Sequence, residues 1–513
     1  MTGPSHAGAL PSLRVLGPIL ALAATSVLVG LLAGALAAGE QPALALLFPL
    51  LLVPILLWRS PATGVLALFA GTILVEQFAY EVGPRAGAVT ASIPLFQSVV
   101  AGTGVTPAEL LLAAMLLIVV LQCVRQRRRL LHPSPLGRHL LGLCAAVAVY
   151  LVLGITRGGD IPMALWEARP FLYLGASFLL ASALLGRREH VRILLWTLVL
   201  GCGLKAAYGL VIWMSVRSLQ PRPEAVLAHE ESFFFGLFIF LTIGFWMVPV
   251  PGRLRTTATA LLPVVLAADM VNSRRTAWGI LICGCVAVLA VAYANLPDRR
   301  RFLRRLALLL VVLNAVYLPA FWGQNGALAQ PARAIRSVIA PDARDEQSNM
   351  YRTIEDANLE INIQRRHSTG MGFGIPIDYV IPIVDLTEDN RSIAYVPHNG
   401  VLYVWMRMGL VGQVLLWLVI GQMMLIACRA ASAKDRETAL VGIVAVGAVV
   451  GYVVMGDKDM GFSWFRIAFA MGILFGLLEA RLRSLTDEAP RPHADALPAA
   501  SPSRLPELPG RSR

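Results

Sequence analysis

His398 stands where a proton could be exchanged at a water–membrane boundary. It follows Pro397 at the junction of the longest polar loop with an apolar run, and Asn399 stands beside it. Imidazole titrates near neutral pH and so suits proton transfer, although taken alone the same pair could equally be an interfacial helix cap. Two further histidines share that side of the chain: His229, followed by Glu230 and Glu231, and His367. For His229-Glu230-Glu231 the stronger expectation is a solvated helix start, with a role in lining an acceptor's approach as the alternative. Arginines recur on the same side at Arg169, Arg274, Arg275 and Arg352, where loops normally avoid basic residues. Their plain reading is ion pairing with acids such as Glu167 and Glu355. GMGFG at 370 has no βαβ unit around it, so it reads as a tight turn bringing its loop back over the site. Lys205 and Asp269 are expected to snorkel or to meet polar partners among helices, and Asp269 is close enough in sequence to orient Arg274.

These residues need a scaffold, and composition names its class. Of 513 residues, 57% are hydrophobic and only 15% charged, against about 25% charged in soluble domains. That excludes a soluble enzyme, a secreted disulfide scaffold, a disordered chain and a β-barrel, whose short alternating strands give no long apolar runs. Apolar runs begin near 15 to 38, 42 to 57, 61 to 79 and 107 to 124. They continue near 139 to 156, 169 to 185, 193 to 216, 233 to 250, 256 to 272, 276 to 296, 306 to 323, 398 to 428, 438 to 455 and 464 to 480. The expected fold is therefore all-α, a polytopic transmembrane helix bundle of about 14 spans. The net charge of +13 does not indicate nucleic acid, because the basic residues are dealt out in short clusters between the apolar runs. With the N-terminus inside, RQRRR at 125, GRREHVR at 186, PGRLR at 251, DRRRFLRR at 298 and the tail all fall inside. About 26 of the 44 basic residues then lie inside and about 15 outside, so both termini are expected to be cytoplasmic. The six cysteines fall in or beside apolar runs and read as packing residues.

Five regions follow. Residues 1–104 hold the N-terminal spans and first outer loop, 105–323 a central bundle, 324–397 a large outer loop, 398–483 the last spans, and 484–513 a proline-rich tail expected to be disordered. The large loop carries a polar helical stretch from Ser348 to His367, the glycine turn and a strand-like YVIPIV at 379.

The stretch VPHNGVLYVWMRMGLVG sets nine residues between the His398-Asn399 pair and Gly409, with Gly412 three further on. It resembles the signature of the bacterial O-antigen ligase and polymerase superfamily, in which a His-Asn pair opens a late transmembrane helix after a large periplasmic loop. YRTIEDANLEINIQRRHSTGMGFG at 351, VNSRRTAWG at 271 and WEARPFLYLGAS at 166 are similar to the family's arginine-bearing segments. The likeness covers about residues 105 to 430. It implies a multi-pass protein of the bacterial inner membrane whose donor is a glycan on undecaprenyl diphosphate and whose acceptor is a growing glycan or a lipid A core sugar. It leaves room for a chain-length regulator as a further partner. By this likeness Arg169, Arg274 and Arg352 would hold the diphosphate, with Arg275 as a neighbour able to replace Arg274. His398 would be the general base of a single inverting displacement, with Asn399, Gly409 and Gly412 in support. No cofactor is implied, and the reaction is expected to be metal-independent, although Asp342, Asp345, Asp385 and Asp389 in the loop keep a cation in view. The chain's length leans toward polymerisation over ligation. Glycan transfer to a protein hydroxyl is a third variant. The competing class is a secondary transporter or flippase of lipid-linked sugars, which would need charges near the bilayer midplane.

Overall fold

A computed structural model describes residues 56–77, 90, 93–98, 104–127, 134–219, 223, 225–250, 252–384 and 391–488. The expected spans at 15 to 38 and 42 to 57 lie wholly or almost wholly outside these, as do Asp385, Asp389, most of the first outer loop and residues 489–513.

Fourteen α-helices occur among the described residues. They are α1 (Pro61–Leu74), α2 (Pro107–Gln126), α3 (Pro135–Thr156), α4 (Ile161–Leu184), α5 (Arg188–Val216), α6 (Glu231–Met247) and α7 (Gly252–Asn272), then α8 (Arg275–Asn295), α9 (Arg300–Phe321), α10 (Gln330–Ile339), α11 (Ala343–Arg365), α12 (Gly400–Ala431), α13 (Arg436–Lys458) and α14 (Phe465–Glu488). Eight helices, counting the stretch Pro297–Phe321 as one, are long and apolar enough to cross a membrane, and α1 and α6 are shorter apolar helices. The number of helices matches the number of expected spans, but the two sets differ, since α10 and α11 belong to the long loop. Of the tail expected from 484, residues 484–488 are helical, as the end of α14, and the rest lies outside the described residues.

Local chemistry starts these helices where it should. Proline occupies the first turn of α1, α2, α3 and α4, where its missing N–H costs no hydrogen bond. Thr106 and Glu109 form a reciprocal capping box on α2, and side chains of Ser134, Asp160, Asp342, Asn399 and Asp435 cap α3, α4, α11, α12 and α13.

Packing then gathers α14 onto α4 through small residues. A Cβ on Gly472 would lie 2.0 Å from Ser177 Oγ, and one on Gly476 would lie 2.6 Å from Ala181 Cβ. Two small positions four residues apart on each helix therefore let the backbones close up. At the periphery, α9 buries only Leu303, while Leu308, Val311 and Val316 are 64%, 65% and 68% exposed. Such a helix has apolar surface that only a lipid-like surround would satisfy.

The segment read as a strand is not one. No strand occurs among the described residues; the 378–381 backbone is instead held by α11 side chains. Asn358 accepts from Ile381 N at 2.8 Å and donates to Ile381 O at 3.0 Å, and Asn362 donates to Asp378 O at 2.8 Å. Two asparagines one turn apart thus stand in for a neighbouring strand.

Candidate functional site

Two histidine–carboxylate pairs and a ring of arginines meet at the end of the bundle that carries α10 and α11. His398 immediately precedes Asn399, whose Oδ1 accepts from Val401 N and Leu402 N at 3.1 Å each. The cap is therefore the asparagine, which leaves the histidine ring for other work. His398 Nδ1 lies 3.1 and 3.2 Å from the two oxygens of Glu355, and the His398 backbone N donates to Glu355 Oε2 at 3.0 Å. The Glu355 side chain is fully buried while the histidine side chain is 24% exposed. A carboxylate can only accept, so it fixes the proton on Nδ1 and leaves the Nε2 lone pair as a base. The Tyr351 ring meets the imidazole edge-on, 5.8 Å between centroids.

The arginines surround a cavity of about 390 Å³ lined by Arg274, Arg275, Arg333, Arg344 and Arg352, with Asp345, Asp459 and His229 in its wall. Five guanidinium groups against two aspartates leave the lining cationic by about three charges with the histidine neutral. Arg275 donates to Ser348 Oγ at 2.8 Å and Asn349 Oδ1 at 3.1 Å, and Arg275 and Arg333 both lie 3.6 Å from Asp345 Oδ1. The cavity joins the His398 pair through two elements. Arg352 and Glu355 are one turn apart on α11, and Met460 N donates to the His398 carbonyl at 2.9 Å beside Asp459. Positive φ at two non-glycine residues, Ser273 (54°) and Met460 (57°), marks the chain reversals on either side, and such strained backbone collects at functional sites.

His229 was expected to be solvated with its two glutamates. Instead Glu230 and Glu231 are 1% and 0% exposed, and His229 Nδ1 lies 2.6 Å from Asp459 Oδ2. Asn272 accepts from Val226 N and Leu227 N and so holds the preceding loop in position. Burial alone would raise the Asp459 carboxyl, but His229, together with Arg352 and Arg274, holds it well below the usual carboxylate range. Asp356, beside Glu355 on α11, goes the other way: burial and the like charge of Glu355 raise it, against a hydrogen bond from Asn399.

Of the predicted diphosphate ligands, Arg274, Arg275 and Arg352 come together and Arg169 does not. Arg169 pairs with Glu109 at 2.9 Å and donates to Gly104 O at 2.6 Å, joining α4 to the start of α2. The acids expected to neutralise these arginines serve elsewhere: Glu355 meets His398, and Glu167 meets the fully buried Arg407 at 2.6 Å. Asp269 is fully buried, and neither of its carboxylate oxygens makes a hydrogen bond, so it does not orient Arg274.

Gly409 and Gly412 are more than spacers between helices. Gly409 breaks α12 with φ 57° and ψ −156°, and the carbonyls this frees accept from the glycine turn: Met371 N donates to Met406 O at 2.8 Å and Gly372 N to Arg407 O at 3.0 Å. The turn is wedged between α12 and α3, where Phe373 N donates to Tyr150 O at 3.2 Å. It braces the helix that follows His398 and does not line the cavity. A Cβ on Gly412 would meet Met408 of its own helix at 2.2 Å, a closeness that follows from the same break. Asp342 caps α11 and Asp345 is taken by arginines, and no metal-holding group of His, Cys, Asp and Glu occurs among the described residues.

Compared with known proteins, the chain matches no family model and no curated protein.

Sequence reasoning missed Glu355 as a partner of His398, and missed Asp459, Arg333 and Arg344 altogether. Part of this was legible. Arg344, Ser348 and Arg352 recur at four-residue spacing and Glu355 follows three later, which is one face of a helix.

Proposed function

We propose that this chain is a metal-independent membrane glycosyltransferase that joins a glycan carried on undecaprenyl diphosphate to an acceptor sugar hydroxyl at the periplasmic face of a bacterial inner membrane. The observation that carries this reading is the cavity with five arginines set one helical turn from the His398–Glu355 pair. Two adjacent phosphates call for several bidentate cations that stay charged at any working pH, and Arg274, Arg275 and Arg352 with Arg333 and Arg344 supply them. His398 Nε2 takes the proton of the acceptor hydroxyl as its oxygen attacks the anomeric carbon. The bond from that carbon to the phosphate oxygen breaks on the opposite face, and its electron pair leaves with the diphosphate. One displacement inverts the anomeric centre, and the arginines stabilise the charge that develops. Polymerisation of repeat units and ligation to a core sugar share this chemistry.

The test is transfer by purified protein in lipid nanodiscs given lipid-linked repeat units and acceptor, with products read on a gel. His398→Ala and Arg352→Ala should each abolish extension while leaving the protein folded. Normal product from both variants would remove the assignment. Extension of repeat units on their carrier indicates a polymerase, and transfer only to a core oligosaccharide indicates a ligase.

One observation favours the alternative of a transporter or flippase. Lys205 pairs with Glu76 and lies 3.8 Å from Glu231, while Arg466 pairs with Glu231 at 2.7 Å and lies 3.8 Å from Glu230, all of them buried. Buried charge of this kind is what substrate-coupled transporters use. Under that reading the purified protein moves lipid-linked sugar between leaflets and makes no new glycosidic bond.

A further inference from the structure

The sequence offered His229 at most a place along an acceptor's approach, yet it is the histidine that lines the arginine cavity. Its Nδ1 is taken by Asp459, buried at 4% exposure, and its ring lies near-parallel to Trp464 at 6.2 Å, with Trp464 Nε1 donating to the Asp459 carbonyl at 2.8 Å. The ring is thus fixed on one edge and one face. The edge bearing Nε2 remains, on a side chain that is 33% exposed.

We infer that His229 is the proton donor to the departing diphosphate, its imidazolium Nε2–H bonding a phosphate oxygen in the cavity and its Nδ1–H held by Asp459. This rests on the proposed reading of the cavity as a diphosphate site. As the anomeric C–O bond breaks, the proton of Nε2 passes to the diphosphate oxygen that receives the electron pair, and His229 is left neutral. His398 meanwhile gains the acceptor's proton, so the cycle closes when solvent carries one proton from His398 back to His229. The two histidine–carboxylate pairs thereby divide the work: base at the acceptor, acid at the leaving group.

Charge around His229 cuts both ways, and the balance sets when the ring is protonated. Asp459, at the end of α13, favours the imidazolium directly. Arg274 and Arg275 between α7 and α8, Arg333 on α10, and Arg344 and Arg352 on α11 oppose it, partly offset by Asp345. A bound diphosphate adds negative charge beside those arginines and so promotes protonation of the ring. Proton uptake and anion binding are therefore linked, and by linkage the anion binds more tightly where the ring is already charged.

The experiment is calorimetric binding of inorganic pyrophosphate to the full chain in zwitterionic nanodiscs at pH 6 and pH 8. It compares the wild type, His229→Gln, Asp459→Asn and the exposed-histidine control His367→Gln. The ligand's own ionisation is common to all four, so the ratio of the two dissociation constants isolates the protein's contribution. The wild type and the control should favour pH 6 over pH 8 by about tenfold more than His229→Gln does, the size expected when a pKa moves by one unit. Asp459→Asn, which keeps the ring but removes its counter-charge, should lie between them and carries the test if His229→Gln does not fold. Equal ratios in wild type and His229→Gln would overturn the proposal while leaving the cavity a diphosphate site. Absence of pyrophosphate binding in every protein would remove that site and the proposal with it. Loss of binding only in phosphatidylglycerol nanodiscs would mean that the cavity holds a lipid headgroup, which also overturns the proposal.

Discussion

The identity of the acid beside a histidine decides what the histidine does. His398 faces a fully buried carboxylate, and an acceptor-only neighbour orients the ring so that its free nitrogen is the basic one. His398→Ala should therefore cost about 10²–10⁴-fold in transfer rate. Glu355→Gln, which can donate as well as accept and so releases the tautomer, should cost about 10-fold or more with little change in donor affinity. Rates and donor KM for the two variants check this, and a Glu355→Gln enzyme with wild-type turnover would show the carboxylate to be only structural. A second residue-scale prediction follows from Asp459. Its pKa is lower folded than unfolded, so the folded state binds the proton less readily than the unfolded chain. The stability this contributes is complete above the ordinary aspartate pKa of about 4 and is lost as pH falls toward the folded value. Asp459→Asn should thus destabilise the protein by about 1.5–3 kcal/mol at pH 7, the scale of a lost charge-assisted hydrogen bond. The gap should shrink as thermal unfolding is followed down to pH 3.5; a gap that stays constant with pH would mean that Asp459 acts by packing alone.

Single elements carry the site because one of them is broken on purpose. The positive φ at Gly409 opens α12 nearly three turns after its cap, and the freed carbonyls are taken by Met371 and Gly372. A Cβ at 409 would lie 2.4 Å from Ser368 O and 2.7 Å from Gly370 N, in a backbone conformation that side chains disfavour. Gly409→Ala should therefore cost about 1–3 kcal/mol or more from strain, before the clash is counted. Gly421→Ala, on the same helix with nothing within 4 Å of its Cβ position, should be neutral or slightly stabilising. Thermal unfolding of the two variants makes the comparison, and equal melting temperatures would mean that the break is not required. The spacing of His398, Gly409 and Gly412 was visible in the sequence, as were most helices, because long apolar runs and capping residues are local signals. The break itself was not, since a glycine inside an apolar run has the same appearance whether it spaces two helices or opens one. The strand expected at YVIPIV failed for a related reason: alternation of apolar residues records an extended backbone, but not whether another strand or a row of asparagines satisfies it.

At the scale of the whole molecule, charge among the described residues gathers at two ends and, apart from the buried Glu167–Arg407 pair, in a knot of five buried side chains. At the end opposite the arginine cavity, Arg188 and Arg192 each lie 2.8 Å from Glu437, and Arg481 lies 3.7 Å from Asp435. Between the ends, Glu76 after α1, Lys205 of α5, Glu230 and Glu231 at the start of α6 and Arg466 of α14 are buried together, with Arg466 also donating to Thr72 O at 2.7 Å. The knot could not be read from the sequence, because its members are scattered from 76 to 466 and only folding makes them neighbours. It ties α1, α5, α6 and α14 together through side chains that include the two residues after His229 of the cavity wall, so its first role is to hold the bundle in register. Removing one member leaves a buried charge unpartnered, at about 3–5 kcal/mol, whereas replacing a whole pair by apolar residues is often close to neutral. Lys205→Met should accordingly unfold or mislocalise the protein, and Lys205→Met with Glu76→Leu should restore most of the lost stability. The rescued double variant separates the two functional readings. A transferase needs the knot only for shape, so the rescued protein should extend glycans at close to the wild-type rate. A transporter needs the charges themselves, so rescue of folding without rescue of glycan output would move catalysis away from His398 and make the knot the working site.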